Sequence, residues 1–136
     1  MIRKNEGSSA FTPDVLEEYA AYGPWLEAMA KHETNNFQSA VFKDLKNMFG
    51  MKTPSRRPTT GTPSDRYEAG EYKGKHAPFL KFKNTKDSAR DMVLYLREFN
   101  VPTSYQSHLD FFHRLKRNGY WTGDYNQYVK GVERYL

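Results

Sequence analysis

Apolar residues recur at helical spacing along most of this chain, and the pattern is broken once, between residues 53 and 83. Before the break, Thr12, Pro13 and Asp14 form a strong helix start, because threonine caps a helix and proline fits its first position. That helix is expected to end near Gly23. Helices on both sides of one short non-helical region predict an α+β domain that is mostly α.

Further helices follow from the same signals of capping residues, proline and glycine. Glu33 lies at the end of the second predicted helix, and Gly50 ends the third. The side chains of Phe99, Leu109 and Leu136 continue the apolar stripes of the later helices, so they are expected to face the core. Helix starts are predicted at Pro24, at Asn35 or Asn36, at Thr85, at about Ser104 and at about Asp124.

The break has two parts of different composition. Residues 53–65 hold three prolines and one glycine among serine, threonine and two arginines, which predicts an exposed, mobile loop. From Arg66 to Lys83 the apolar period changes to two, which predicts a small β-hairpin. The dipeptide Lys73-Gly74 is the candidate for its turn.

The length of 136 residues suits one domain and is too short for two. We expect a flexible N-terminal segment over residues 1–11 and a single domain over residues 12–136. No stretch approaches the roughly 20 apolar residues of a membrane span, and the N-terminus lacks the apolar segment of a signal peptide. Because there are no cysteines and the four histidines are scattered, we expect no disulfide, no metal site and no cofactor.

The net charge of +5 and the pI of about 9.3 favour a polyanionic partner. Nucleic acid, anionic lipid and the bacterial cell wall all fit that description. Ten tyrosines, nine phenylalanines and two tryptophans suit stacking on sugars and on bases equally well. Since no helix-turn-helix, zinc or RNA-stacking signature is present, nucleic acid is the less favoured partner.

One acidic residue lies where the helical pattern predicts an apolar face. Glu33 follows Leu26, Met29 and Ala30 at the spacing of one helix side. Burial raises the pKa of a carboxyl group, and glycoside cleavage needs a carboxylic acid that stays protonated near neutral pH. Fourteen positions after Glu33 comes the run Asn47-Met48-Phe49-Gly50-Met51-Lys52.

The stretch from Glu33 to Lys52 resembles the peptidoglycan hydrolases of glycoside hydrolase family 73. In these bacterial and phage glucosaminidases a catalytic glutamate precedes an Asn-Leu-Phe-Gly-Ile-Lys-like motif at similar spacing. The resemblance spans roughly residues 25–136 and implies a lysozyme-like helical domain with a small β-hairpin lobe. It continues in Phe79-Leu80-Lys81-Phe82, Ser88-Ala89-Arg90-Asp91, Asn118-Gly119-Tyr120-Trp121-Thr122 and Tyr128-Val129.

The chain also departs from this family pattern. Thr34-Asn35-Asn36-Phe37 follows the acid, where the family usually has Ser-Gly-Trp-Gly, and Leu80 replaces an arginine. The altered turn leaves an alternative function open. In that alternative the protein is a non-catalytic glycan-binding or virion structural protein on the same fold.

The resemblance implies roles for individual residues. Glu33 is expected to be the general acid of an endo-β-N-acetylglucosaminidase, and Tyr120 to position water or the N-acetyl group. For the second carboxylate, Asp65, Glu68 and Glu71 are candidates and Glu68 is chosen, while substrate assistance, or ordinary solvated charges at these positions, stay open. Contacts with substrate are expected from Asn47, Phe49, Tyr67, Glu71 and Trp121.

The implied partner is bacterial peptidoglycan, together with other virion proteins if the origin is a phage. An enzyme of this kind without a signal peptide is expected to stay in the host cytoplasm until release, as an endolysin does, or to travel in a virion. In both cases it acts on the bacterial cell wall.

Overall fold

Six α-helices and two short strands make up the regular structure of residues 7–136, the part of the chain that the computed structural model describes. This arrangement confirms the mostly α, lysozyme-like α+β class. Within the described residues no helix is long and apolar enough to span a membrane. The elements are α1 (Pro13–Leu16), α2 (Gly23–Glu33), α3 (Ala40–Leu45), β1 (Thr62–Pro63), β2 (Leu80–Lys81), α4 (Thr85–Glu98), α5 (His108–Arg117) and α6 (Tyr125–Glu133).

The first predicted helix is divided into two parts. α1 stops after four residues because Glu17 has a φ of 46°, in the left-handed region. A 3₁₀ segment then runs over Glu17–Tyr22, and α2 begins at Gly23, where the sequence predicted an end. The predicted helix start at Pro24 is confirmed to within one residue, with the proline in the first turn of α2.

Left-handed residues also shorten the third helix at both ends. Asn35, Asn36 and Phe37 have φ values of 51°, 57° and 64°, so the helix does not start at either asparagine as predicted. Ser39 caps α3 instead, and Lys46, with a φ of 57°, ends it well before the predicted glycine. The chain therefore leaves the helix at Lys46, directly before the motif that begins at Asn47.

Capping side chains fix the starts of the last three helices. Asn84 caps α4 by accepting a 2.8 Å hydrogen bond from the Asp87 amide, one residue before the predicted position. Ser107 caps α5, so the predicted start at Ser104 is wrong. Asp124 caps α6 as predicted.

The β element pairs different residues from those predicted. β1 and β2 are antiparallel, with Thr62 opposite Lys81 and Pro63 opposite Leu80. The first strand therefore lies inside the predicted loop, and the prediction that it starts at Arg66 is wrong. Residues 64–79 connect the two strands without regular secondary structure. Contacts with residues distant in the chain hold this connection, and such contacts leave no periodic pattern in the sequence. The predicted turn at Lys73-Gly74 is confirmed, with Gly74 at a φ of 94°.

Residues 53–61, here called the strap, cross the surface of α4. The Arg57 guanidinium makes two hydrogen bonds to the Asp91 carboxylate, at 2.9 and 2.8 Å. The side chain of Arg57 is 6% exposed and that of Asp91 is 0% exposed. Thr59 and the Thr60 amide donate to the same carboxylate. The predicted exposed loop is therefore anchored to the core by a buried ion pair.

The apolar core contains side chains from α1 to α6 and from β2. Three predicted core residues are exposed instead: Phe99 by 42%, Leu109 by 41% and Leu136 by 51%. Phe99 and Leu136 follow the ends of α4 and α6, and Leu109 lies in the first turn of α5, where the apolar stripe is not covered. The largest fully buried side chains include Tyr22, Phe37, Phe42, Phe111, Phe112, Leu26, Met29 and Met92.

The start of the described chain packs on this core. Ala10 is fully buried, and the Phe11 ring meets the Phe49 ring edge to face at 6.0 Å. A side chain at Gly7 would lie 2.4 Å from the Phe37 ring. Ala10 and Phe11 of the predicted flexible segment thus contact the core, while residues 1–6 lie outside the described residues, and the predicted segment as a whole stays a prediction.

α2 and α6 pack closely through one ring and one glycine. The His32 ring lies against the backbone of Gly131, where a β-carbon would come within 2.2 Å of Cε1. The same ring meets the Tyr128 ring edge to face at 5.0 Å. The end of α2 is thus held directly on α6.

Candidate active site

A groove of about 890 Å³ runs across the end of α2. Its walls come from the segment after α3, the strap, the end of α4 and the connection between α5 and α6. Five sequence-predicted site residues lie in this lining: Glu33, Phe49, Glu68, Tyr120 and Trp121. Three predicted residues, Asn47, Tyr67 and Glu71, are not part of it.

The motif after α3 lies directly against Glu33. Gly50 has a φ of 64°, and a β-carbon there would lie 3.7 Å from Glu33 Oε2. Glycine suits the left-handed backbone at this position, which lies beside the carboxylate. The spacing between the acid and the motif in the sequence is therefore matched by contact in the fold.

Asn47 holds this motif in place from beneath the groove. Its side-chain amide donates to the carbonyl oxygens of Met51 and Leu80, at 2.8 and 2.9 Å. Its oxygen accepts from the amides of Phe49 and Met51, at 3.3 and 3.0 Å. Asn47 is 1% exposed and uses its polar atoms on backbone groups, so it supports the motif from below, and its predicted contact with substrate stays a prediction.

Phe49 has a similar supporting position. Its side chain is 3% exposed and packs edge to face on Phe11. Little of the ring is available for the predicted stacking on a pyranose face. Phe49 therefore supports the floor of the groove, and its carbonyl oxygen accepts a 3.3 Å hydrogen bond from the Tyr120 hydroxyl.

The Glu33 carboxyl is poised between its two protonation states at neutral pH. Burial among the groove walls raises its pKa from 4.5 to about 7, Tyr128 opposes that rise as a hydrogen-bond donor, and the charge of Glu68 adds to it. Glu33 is nevertheless exposed to solvent, and its carboxyl is accessible from the groove. The Glu33 carboxyl is thus both crowded by the groove walls and accessible from the groove, as expected of an acid that contacts a substrate.

This raised pKa predicts a stability difference between wild type and Glu33→Gln. Between pH 4.5 and about 7 the folded protein binds more protons at Glu33 than the unfolded chain, so stability falls as pH rises through that window. Glutamine removes this dependence. The Tm of Glu33→Gln minus that of wild type is therefore expected to increase from pH 5 to pH 8. Solvent in the groove screens the carboxylate, which makes this increase smaller. A constant difference in calorimetric scans would contradict the raised pKa.

A lysine lies between two acids at one end of the groove. Lys52 Nζ is 2.5 Å from Glu68 Oε2 and 2.9 Å from Glu71 Oε1. The Glu68 side chain is 56% exposed and lines the groove, whereas that of Glu71 is 24% exposed and does not. Of the acids considered for the second carboxylate, Glu68 is the one whose charge raises the pKa of Glu33. Asp65 lies outside the groove lining.

Aromatic side chains form the opposite wall. The rings of Trp121 and Tyr128 stack at 3.9 Å, and the Tyr120 ring meets that of Tyr95 edge to face at 5.4 Å. Burial, with the nearby charge of Glu33, raises the pKa of Tyr120 well above 10. Tyr120 therefore stays neutral and keeps its proton for hydrogen bonding.

Tyr128 is the site residue to which the sequence assigned no role. It lines the groove and interacts with Glu33, although the sequence showed it only as part of a resembling dipeptide on an apolar stripe. Its helical spacing predicted a core residue, and its ring is indeed buried. Tyr95 and Phe99 also line the groove, and nothing in the sequence separated them from packing residues.

The described residues contain no group of three or more histidine, cysteine or acidic side chains arranged to hold a metal ion. The chemistry that the groove can perform with its own side chains is proton transfer. Glu33 can donate a proton, Glu68 lies in the same groove, and Tyr120 and Tyr128 supply neutral hydroxyl groups.

Comparison with known proteins gives one family and one similar fold. The family described as Glucosaminidase, mannosyl-glycoprotein endo-beta-N-acetylglucosaminidase, matches residues 13–135. No curated protein matches the chain significantly. A chain in the structure of a type VI secretion system effector–immunity complex from Pseudomonas protegens has a similar fold, with a TM-score of 0.60 and 17% identity over 95% of this chain and 92% of that chain. The predicted association with a virion finds no support in these matches and stays a prediction.

Proposed function

Since this chain belongs to the glucosaminidase family over residues 13–135, we propose that it hydrolyses the glycan strand of bacterial peptidoglycan as an endo-β-N-acetylglucosaminidase, with Glu33 as general acid. The family supports a glycoside hydrolase. The observation that carries the finer proposal is the Glu33 carboxyl, which lies in the groove against Gly50 and has a pKa raised to about 7. A carboxylic acid with this pKa is protonated often enough near neutral pH to donate its proton.

In the proposed reaction, Glu33 gives its proton to the oxygen of the glycosidic bond as that bond breaks. Positive charge then develops on the sugar ring that keeps the anomeric carbon. Glu68, in the same groove, supplies negative charge for this ring or activates the attacking water. The neutral Tyr120 hydroxyl, fixed by the Phe49 carbonyl oxygen, is suited to orient that water or the N-acetyl group.

Mass spectrometry of fragments released from purified peptidoglycan tests this proposal. Borohydride reduction marks the new sugar end, and reduced N-acetylglucosamine ends are expected. Reduced N-acetylmuramic acid ends would make the protein a muramidase. Binding to the wall without release of fragments would support the non-catalytic alternative, and release from a mannosyl glycoprotein but not from peptidoglycan would replace the proposed substrate.

Glu68→Gln is expected to lower the cleavage rate by about 100-fold, because the amide keeps the shape but removes the negative charge. The matched control is Glu71→Gln, since Glu71 contacts the same lysine outside the groove lining and a loss below tenfold is expected. Initial rates of reducing-end formation on purified peptidoglycan measure both. Equal losses in the two variants would show that the ion pairs with Lys52, and not Glu68 itself, support the reaction.

A further inference from the structure

The Tyr128 hydroxyl is a buried polar group beside the proposed acid. Tyr128 is 8% exposed, and within residues 7–136 its buried hydroxyl has no hydrogen-bond partner. Buried hydroxyl groups without a partner are uncommon because their desolvation is not compensated. Tyr128 belongs to the groove lining, and it lowers the pKa of Glu33 as a nearby donor. The hydroxyl is therefore available to that carboxyl.

Two neighbouring rings fix the direction of this hydroxyl. The Trp121 ring stacks on the Tyr128 ring at 3.9 Å with an interplanar angle of 15°. The His32 ring meets it edge to face at 5.0 Å, and His32 precedes Glu33 on α2. Rotation of the tyrosine out of this slot would break both contacts. A rigid donor beside a reacting group needs no reorganisation when charge develops.

We propose that Tyr128 is a positioning residue for Glu33, donating a hydrogen bond to the carboxylate that forms when the acid gives up its proton. The proposal rests on the proposed function of Glu33. The proton moves from Glu33 to the leaving oxygen as the glycosidic bond breaks, and Tyr128 keeps its own proton throughout. Burial raises the pKa of Tyr128 well above 10, which agrees with a group that donates without ionising.

Other titratable groups near Glu33 act in different directions. Tyr120, in the connection between α5 and α6, is neutral, and its hydroxyl already donates to the Phe49 carbonyl oxygen. Glu68, in the connection between β1 and β2, raises the pKa of Glu33 by its charge. Burial lowers the pKa of His32, the neighbour on α2, which favours its neutral form. Tyr128 on α6 is therefore the donor that favours the ionised acid.

Carbon-13 NMR of glutamate-labelled protein tests the hydrogen bond without any need for activity. The Glu33 carboxyl signal is identified by its disappearance in Glu33→Gln and is followed from pH 4 to pH 9. The wild-type midpoint is expected at about 7. In Tyr128→Phe, which keeps both ring contacts, the midpoint is expected to rise by at least about half a unit. An unchanged or lower midpoint would overturn the proposal.

The pH–rate profile then tests the role in catalysis. A general acid is active when protonated, so a higher pKa moves the basic limb of the profile to higher pH in Tyr128→Phe. The maximal rate is expected to fall about tenfold, because the carboxylate left after proton transfer loses its donor. A lower rate with an unmoved basic limb would reduce Tyr128 to a packing residue and overturn the positioning role.

Tyr125→Phe is the matched control for both measurements. Tyr125 is on the same helix, outside the groove lining, and its hydroxyl donates to the Leu109 carbonyl oxygen at 3.2 Å. It is expected to leave the Glu33 midpoint and the profile at wild-type values. If the wild type cuts no glycan while the NMR midpoint still rises in Tyr128→Phe, the proposed function fails and the hydrogen bond stands. If the wild type cuts and the midpoint does not move, only the inference about Tyr128 fails.

Discussion

Glu33→Gln is expected to lower peptidoglycan cleavage by at least about 100-fold, because glutamine cannot protonate the leaving oxygen. The amide has nearly the same size as the acid, so the contact with Gly50 and binding to the cell wall are expected to persist. The rate of muropeptide release and the amount of protein sedimented with purified wall are the two measurements. Retention of more than a tenth of the wild-type rate would remove Glu33 as the general acid.

Glu27→Gln is a suitable control for this variant. Glu27 is on the same helix and pairs with Lys31 at 3.0 Å, outside the groove lining. Its substitution removes the same charge from the same element and is expected to leave cleavage within about twofold of wild type. A shared loss in both variants would indicate a general effect of helix charge or stability in place of acid catalysis.

Asp91→Asn is expected to destabilise the fold by about 3–5 kcal/mol, since it leaves the Arg57 charge buried without a partner. The Asp91 side chain is 0% exposed and accepts two charge-assisted hydrogen bonds from Arg57 as well as bonds from Thr59 and Thr60. The strap supplies one wall of the groove, so cleavage is expected to fall as well. Urea unfolding measures the loss of stability.

The exposed pair between Arg66 and Asp44 provides the comparison. Its two side chains are 39% and 53% exposed, with atoms 2.7 Å apart. Asp44→Asn is the same chemical change at the surface and is expected to cost no more than about 1 kcal/mol. Adding Arg57→Met to Asp91→Asn removes both buried charges and is expected to restore part of the stability. Equal effects of Asp91→Asn and Asp44→Asn would show that burial of the strap pair is unimportant.

Local signals in the sequence predicted the features that depend on neighbouring residues. The capping aspartate of α6, the turn at Lys73-Gly74 and the mostly helical class are confirmed. The place of Glu33 on an apolar face and its spacing from the Gly50 motif pointed to residues that do meet in the groove. The first prediction follows from helix periodicity, whereas the second rested on the resemblance to the glucosaminidase family.

Features that depend on contacts between distant residues were missed. The partner of β2 is Thr62–Pro63, because pairing is decided by how the strap lies on α4 and not by alternation within the strand. Glu17 and Asn35 have left-handed φ values of 46° and 51°, which the residue pattern did not predict. In the sequence, Tyr128 resembles any other aromatic residue on the apolar face of a helix. Only the fold places its hydroxyl beside an acid that lies 95 positions earlier in the chain.

The missing side chain at position 131 determines how accurately the proposed chemistry is aligned. Gly131 does not line the groove itself, yet the ring of His32, which does, occupies the space that a methyl group at position 131 would need. Any larger residue would require the His32 ring to move, and with it the packing of α2, which carries Glu33, on α6. Displacements of about 1 Å at a reacting group cost on the order of 100-fold in rate. The alignment of the proposed chemistry is thus set partly by a hydrogen atom at a position outside the groove lining.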